Sequence, residues 1–282
     1  MSNQKSTFVL LFAACAIWTA AILSSCSSTK EVEQMSVEKR YDHALALYKS
    51  GDYTDAYEEF RIVTLQYQGS SVSDSAQFLM GQCKFNQEQY VLAAYEYDVL
   101  VRTMPTSRLV PAARYRKAYC YYSLSPAYYL DQTYTRQAID EFQSFIEYHP
   151  TDSLVPDAEA KISELNTKLA RKEYENGITY IHLEYYKSAI ASFDHVLEKY
   201  HDSPFAEQAQ LKKAEVMLMR NRVSEAKAEI DKFFAKYPNS SLKQDAEKLR
   251  SDILSKTPQK PVEQKKGPAA AASNHSDHVP GE

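Results

Sequence analysis

Between residues 36 and 255 apolar and polar positions alternate at helical rather than strand spacing. The most regular positions are small residues: Ala44, Ala56, Gly81, Ala93, Ala118, Ala138, Gly177, Ala189, Ala214 and Ala226. The step within a pair is 12 residues in four cases, and the step to the next pair is 25 in three, giving a unit of 37 that occurs five times. Four positions after each small residue stands a large apolar one. In the first helix of each unit these are Tyr48, Phe85, Tyr122, Ile181 and Leu218; in the second they are Phe60, Tyr97, Phe142, Phe193 and Ile230. Four residues is about one helical turn, so small and large side chains share a face and can nest against a neighbour. A period of this length with two helices per unit predicts stacked helix pairs: an all-α chain built as an α-solenoid.

Turn signals support the same segmentation. Gly51-Asp52-Tyr53 separates the first two helices, while Pro105, Pro150 and Pro238 follow second helices and cannot continue their hydrogen-bond ladder. The segment from Ala44 to Gln68, with Gly51, Tyr53, Ala56 and Phe60, resembles a tetratricopeptide repeat, as does Gly81 to Pro105. Gln68 and His201 stand where that family usually has proline. Two interruptions break the period. Ala118 to Ala138 is 20 rather than 12, placing about eight extra residues, Ser125 to Gln132, between the helices of the third pair. Ala138 to Gly177 is 39 rather than 25, and one long helix or two abutting ones is expected from Val155 to about His182. Past the fifth pair, Leu242 to Leu254 is amphipathic, with Ser251 again 25 beyond Ala226, and reads as a C-terminal capping helix.

The N-terminus changes the picture. Lys5 precedes an almost uncharged apolar run, Thr7 to Leu23, which ends in Leu23-Ser24-Ser25-Cys26. Small residues before a cysteine after such a run resemble the lipobox of bacterial lipoproteins. That resemblance implies a signal peptide over 1–25, acylation at Cys26 and a lipidated tether over 26–35. More than one acyl chain would hold the protein stably at a membrane surface. The repeats then span 36–255, and 256–282, rich in Pro, Ala, Lys and Ser, reads as a disordered tail. Of four cysteines, Cys15 leaves with the signal and Cys26 is acylated. Cys83 and Cys120 occupy one slot of successive repeats, where stacked helices lie ~8–10 Å apart, beyond the ~7 Å reach of a disulfide. Two free, buried thiols are expected.

A net charge of −4 without a long basic run argues against nucleic-acid binding. There is no glycine-rich phosphate loop, nucleophile elbow or paired-histidine zinc signature, so neither catalysis nor a metal or other cofactor is expected. Glu58-Glu59, Asp140-Glu141 and Lys212-Lys213 read as solvated outer faces.

A lipoprotein of five such repeats with the Tyr129-Leu130-Asp131-Gln132 insertion, between Ala118-Tyr119-Cys120-Tyr121-Tyr122 and Ala138-Ile139-Asp140-Glu141-Phe142, resembles the BamD (ComL/YfiO) family. The resemblance implies an outer-membrane, periplasm-facing scaffold. Its C-terminal repeats would hold the barrel-forming assembly subunit through periplasmic domains, and its N-terminal repeats would engage unfolded outer-membrane β-barrel proteins. Arg220 and Arg222, in the turn of the fifth repeat, lie where family members contact the barrel-forming partner. First helices line the concave side of such a solenoid. One slot there reads Tyr41, Phe78, Tyr115 and Tyr174; a second, four positions on, reads Leu45, Gln82, Tyr119 and Ile178, with Lys49, Gln82 and Asn86 as polar partners. These rings either receive a peptide or pack between successive first helices, and the sequence leaves both open. Two other readings stay open: a cell-envelope adaptor of the same repeat type and a nutrient-binding lipoprotein.

Overall fold

The computed structural model describes residues 35–256, so the signal segment, Cys26, the tether before Met35 and the tail lie outside the described residues. Within that range the chain forms eleven helices: α1 (Val37–Ser50), α2 (Tyr53–Gln66), α3 (Ser73–Asn86), α4 (Tyr90–Thr103), α5 (Val110–Leu124), α6 (Thr133–Tyr148), α7 (Val155–His182), α8 (Tyr186–Lys199), α9 (Pro204–Met219), α10 (Val223–Lys236) and α11 (Lys243–Lys256). The chain divides between Lys172 and Glu173, inside α7, into two compact units. In the first, α1/α2, α3/α4 and α5/α6 are antiparallel pairs, each packed on the next, followed by the start of α7. In the second, the end of α7 meets α8 through Gly177 and Tyr174 against Phe193, and α9 pairs with α10, before the closing α11.

Every member of the small-residue ladder is buried. The reason is steric. Where glycine holds the slot, the large residue four beyond the second-helix member fills the space opposite. Gly81 faces the ring of Tyr97 and Gly177 that of Phe193, and a β-carbon at either would come within 2.6 Å and 2.5 Å of the ring. The ladder stops after Ala226. Ser251, at the expected register in α11, is exposed, and Ala246 and Ile253 are the buried residues there instead. Among the described residues no helix follows α11, and the face that would carry its small residue is exposed.

Two further features come from the repeat rather than from any single turn. In four of the five pairs one residue of the inner turn has positive φ: Gly51 (89°), Glu88 (60°), Glu184 (60°) and Asn221 (57°). Glycine adopts that conformation at no steric cost, and the other three do so under the constraint of their neighbours. Second helices all end alike, at Tyr67, Met104, His149, Tyr200 and Tyr237, with each cap N–H donating to the buried residue four back. Gln68 and His201 follow two of these ends without loss of the boundary, so proline reinforces a stop that packing imposes.

The charge runs are half exposed and half structural, which corrects the sequence reading. Glu58 pairs on the surface with Arg61, but Glu59 receives buried Arg40 at 2.6 Å. Lys117 joins Asp98 of the preceding pair (2.9 Å) to Glu141 of its own (2.8 Å). Lys213 does the same between Asp194 (2.6 Å) and Glu229 (3.2 Å). Gln77 donates to Glu96 at 2.8 Å and Gln210 to Glu229 at 2.6 Å, both buried. These stitches join first helices to second helices across 16 to 24 residues, most of them across 19, separations at which helical periodicity alone gives no signal. As the spacing argument expects, Cys83 and Cys120 are free and buried.

Candidate peptide cleft and partner edge

The first aromatic slot turns inward. Tyr41, Phe78, Tyr115 and Tyr174 each lie against the second-helix ring of their own pair: Phe60 at 5.7 Å, Tyr97 at 5.4 Å, Phe142 at 5.6 Å and Phe193 at 5.7 Å between centroids. Such tilted pairs add to simple area burial. Tyr115 is buried, and its hydroxyl donates to Asp157 of α7; burial and that carboxylate raise its pKa well above an ordinary tyrosine.

The second slot, Leu45, Gln82, Tyr119 and Ile178, is half-buried throughout, and Tyr119 is its one aromatic member. The Tyr119 ring is half-buried and stands among Phe85 (5.8 Å), Tyr122 (5.6 Å) and Tyr115 (6.2 Å). Two cations overlie it. Lys161 Nζ is 5.2 Å from its centroid and 4.8 Å from that of Tyr122, while the Arg116 guanidinium lies 6.0 Å from Tyr119 and 5.9 Å from Phe85. The Tyr122 hydroxyl donates to Glu164 at 2.7 Å and so holds α5 to α7. Together Ala112, Tyr115, Arg116, Tyr119, Leu154, Asp157 and Lys161 enclose a cleft of about 380 Å³. It offers an aromatic floor and two cations, Arg116 and Lys161, the latter also 3.5 Å from the Asp157 carboxylate, and so suits an extended segment with an aromatic side chain and a negative charge set toward Arg116.

Of the sequence candidates, only Tyr115 and Tyr119 line this cleft. Gln82 is half-buried on α3 and Lys49 is exposed in the last turn of α1. Asn86 is exposed and donates to the Tyr48 hydroxyl at 3.2 Å. Arg116 and Lys161 escaped the sequence reading. Lys161 belongs to the long helix outside the 37-residue register, so no periodic position marks it.

In the second unit, Arg220 and Arg222 are exposed on either side of Asn221 in the turn between α9 and α10. They differ chemically. Arg222 makes a two-pronged pair with Glu225, one prong at 2.7 Å, which occupies its fork. Arg220 lies over the Tyr186 ring at 5.3 Å and lines a shallow cleft with Glu184, Tyr185, Lys187 and Ser188. Leu183, Tyr185 and Met219 are exposed in the same turns. A larger cleft of about 570 Å³, lined by Tyr174, Leu211, Leu218, Leu242 and Leu249 with charged residues around them, lies between the end of α7, α9 and α11.

Among the described residues there is no cluster of three His, Cys, Asp or Glu able to hold a metal ion, and no helix is long and apolar enough to cross a membrane. The family model described as YfiO, outer membrane lipoprotein, matches residues 33–210 and again 174–277. The chain belongs to the YfiO family of outer membrane lipoproteins. Membership places it at the outer membrane, as the lipobox and insertion imply. Among YfiO-type relatives, the outer membrane protein assembly factor BamD of Rickettsia prowazekii (strain Madrid E) is 26% identical over 221 residues, covering 78% of this chain and 88% of that protein. The BamD of Caulobacter vibrioides is 26% identical over 242 residues, covering 84% and 79%. Among solved structures, a TPR repeats protein from Bacteroides fragilis NCTC 9343 is 13% identical, covers 78% of this chain and 85% of that one, and superposes with a TM-score of 0.37.

Proposed function

We propose that this lipoprotein is an outer-membrane protein assembly factor acting as a periplasm-facing, non-catalytic scaffold. In this reading it is anchored by acylated Cys26, holds the barrel-forming subunit at the Arg220–Arg222 turn, and receives unfolded β-barrel proteins at the Tyr119 cleft. The observation that carries it is the cleft itself, in a member of a family whose relatives are named assembly factors. An extended strand ending in an aromatic residue and a carboxylate would stack on Tyr119 and meet Arg116 and Lys161. Aromatic stacking gives contact area at low entropic cost, and the cations give orientation. Arg220 supports the partner role because its guanidinium is braced on Tyr186 and, among the described residues, no carboxylate pairs with it, unlike Arg222.

A photo-crosslinking residue in place of Tyr119, in the lipidated protein in cells, should capture unfolded barrel proteins, and the same residue at Lys49 should not. Equal capture at both positions would remove the cleft from the proposal. Arg220→Glu should reduce recovery of a barrel protein with periplasmic domains from detergent-solubilised membranes, while Arg222→Ala should have the smaller effect. Depletion should lower the level of folded outer-membrane barrels; unchanged barrels would refute the assembly role.

A further inference from the structure

We propose that the first unit rests on the membrane through one edge, where the turns inside its helix pairs present apolar side chains to the phospholipid leaflet. Val91 and Leu92, in the first turn of α4, are 50% and 49% exposed. Tyr129 and Leu130, in the insertion before α6, are 69% and 49% exposed, and Tyr134 in the first turn of α6 is 38% exposed. The repeat supplies its own control. At the two slots of Val91 and Leu92 the other pairs carry Thr54-Asp55, Arg136-Gln137, Lys187-Ser188 and Ser224-Glu225. Only α4 is apolar there, so the apolar pair is not a requirement of the fold.

The insertion is built to hold its tip outward. Gln132 is buried, donates to the carbonyls of Ala127 (2.8 Å) and Leu130 (3.1 Å) and accepts from Thr135 (2.7 Å). From α7, Lys168 donates to Ser125 (2.8 Å), Lys172 donates to the Leu130 carbonyl (2.6 Å), and Arg171 lies over the Tyr128 ring at 4.1 Å. Eight residues secured from several directions leave Tyr129 and Leu130 in water, and holding a contact surface in place beforehand lowers the entropy lost on docking. The two apolar sites form one edge. Tyr134 stacks on Tyr121 at 6.3 Å, and Tyr121 packs against the cluster containing Ala93 and Ala94 of α4.

Residue type and tether length select a bilayer as the occupant. Tyrosine with aliphatic neighbours is the combination enriched at the water–hydrocarbon boundary. The opposite turns of this unit carry Gln68, Thr106 and Thr151 at their tips; the exposed apolar residues at that end, Leu65 and Tyr148, stand singly, Leu65 beside Gln66 and Tyr148 beneath the Arg114 guanidinium. Ten residues separate Cys26 from Val37, a linker of at most about 35 Å. α1 has 14 residues, about 21 Å of helix, so an anchor at Cys26 allows the far end of the first pairs to reach the same leaflet.

The inference rests on acylation of Cys26, and the test separates the two. The lipidated full-length protein is reconstituted in vesicles of phosphatidylethanolamine with phosphatidylglycerol, some doped with doxyl-labelled lipid. An environment-sensitive dye is placed on Val91→Cys, Tyr129→Cys or, at the opposite turn, Gln68→Cys; buried Cys83 and Cys120 do not compete for it. The expected result is flotation of all three, with quenching by doxyl lipid several-fold stronger at 91 and 129 than at 68. Flotation with equal quenching at the three positions overturns the membrane edge and leaves the anchor intact. Loss of flotation overturns both. Shielding of position 129 only when a solubilised protein is added, without lipid quenching, overturns the bilayer as occupant.

Discussion

Gly81 lies beneath the Tyr97 ring so closely that an added β-carbon would meet Cε1 at 2.6 Å, with Cδ1 and Cζ both at 2.8 Å. Tyr97 is fully buried and lies tilted against Phe78, so it cannot swing aside without displacing a second ring. Gly81→Ala should therefore destabilise the first unit by about 1–3 kcal/mol through overpacking, despite the ~1 kcal/mol that alanine gains over glycine in a helix. Thermal unfolding of Gly81→Ala and of Gly81→Ala with Tyr97→Leu checks it. The double variant should lose less than the sum of the two single changes, because the smaller side chain vacates the space the methyl needs.

Glu88 and Glu184 adopt the left-handed conformation that Gly51 adopts freely. A side chain there costs ~1–2 kcal/mol, partly offset by the greater freedom glycine has in the unfolded chain. Glu88→Gly and Glu184→Gly should each stabilise by up to about 1 kcal/mol, and Gly51→Ala should do the reverse. Chemical denaturation midpoints decide the sign.

Glu229 ties together Lys213, Lys232 and Gln210. Burial favours its neutral form, but the hydrogen bonds of Lys232 and Gln210 and the charge of Lys213 outweigh it and hold its pKa below the usual carboxylate value. A depressed folded pKa contributes stability that is fully present above the unfolded value of about 4.3 and is lost as pH falls through the folded one. The wild-type melting temperature should drop on acidification below that value. Glu229→Gln should be less stable at neutral pH and should show a shallower acid decline.

Burial pushes the thiols of Cys83 and Cys120 up to about 12. At pH 8 neither offers appreciable thiolate, so alkylation of the native protein should be at least a hundredfold slower than of the denatured chain. Both sites should become reactive together on unfolding of the first unit. Fast labelling of either in the native state would contradict the packing around α3 and α5.

The number of helix pairs, the eight-residue insertion, the length of α7 and the burial of the small-residue ladder were all legible in the chain. Each follows from local periodicity, which repeats because one packing problem is solved five times. The Tyr119 cleft was half legible: the aromatic slot recurs every 37 residues, but Lys161 reaches it from a helix with no place in that register. Whether the Tyr41, Phe78 and Tyr115 rings face outward or inward depended on the second-helix ring opposite each, and that contact packs all three against the core, burying Tyr115 and half-burying the other two. The same holds for Glu59, Glu141 and Lys213, whose neighbours along the chain suggest solvent and whose partners lie one helix away. Periodicity specifies which face of a helix is apolar, while the meeting of two faces decides which charges are paired, which rings are covered, and which side chains remain for a partner.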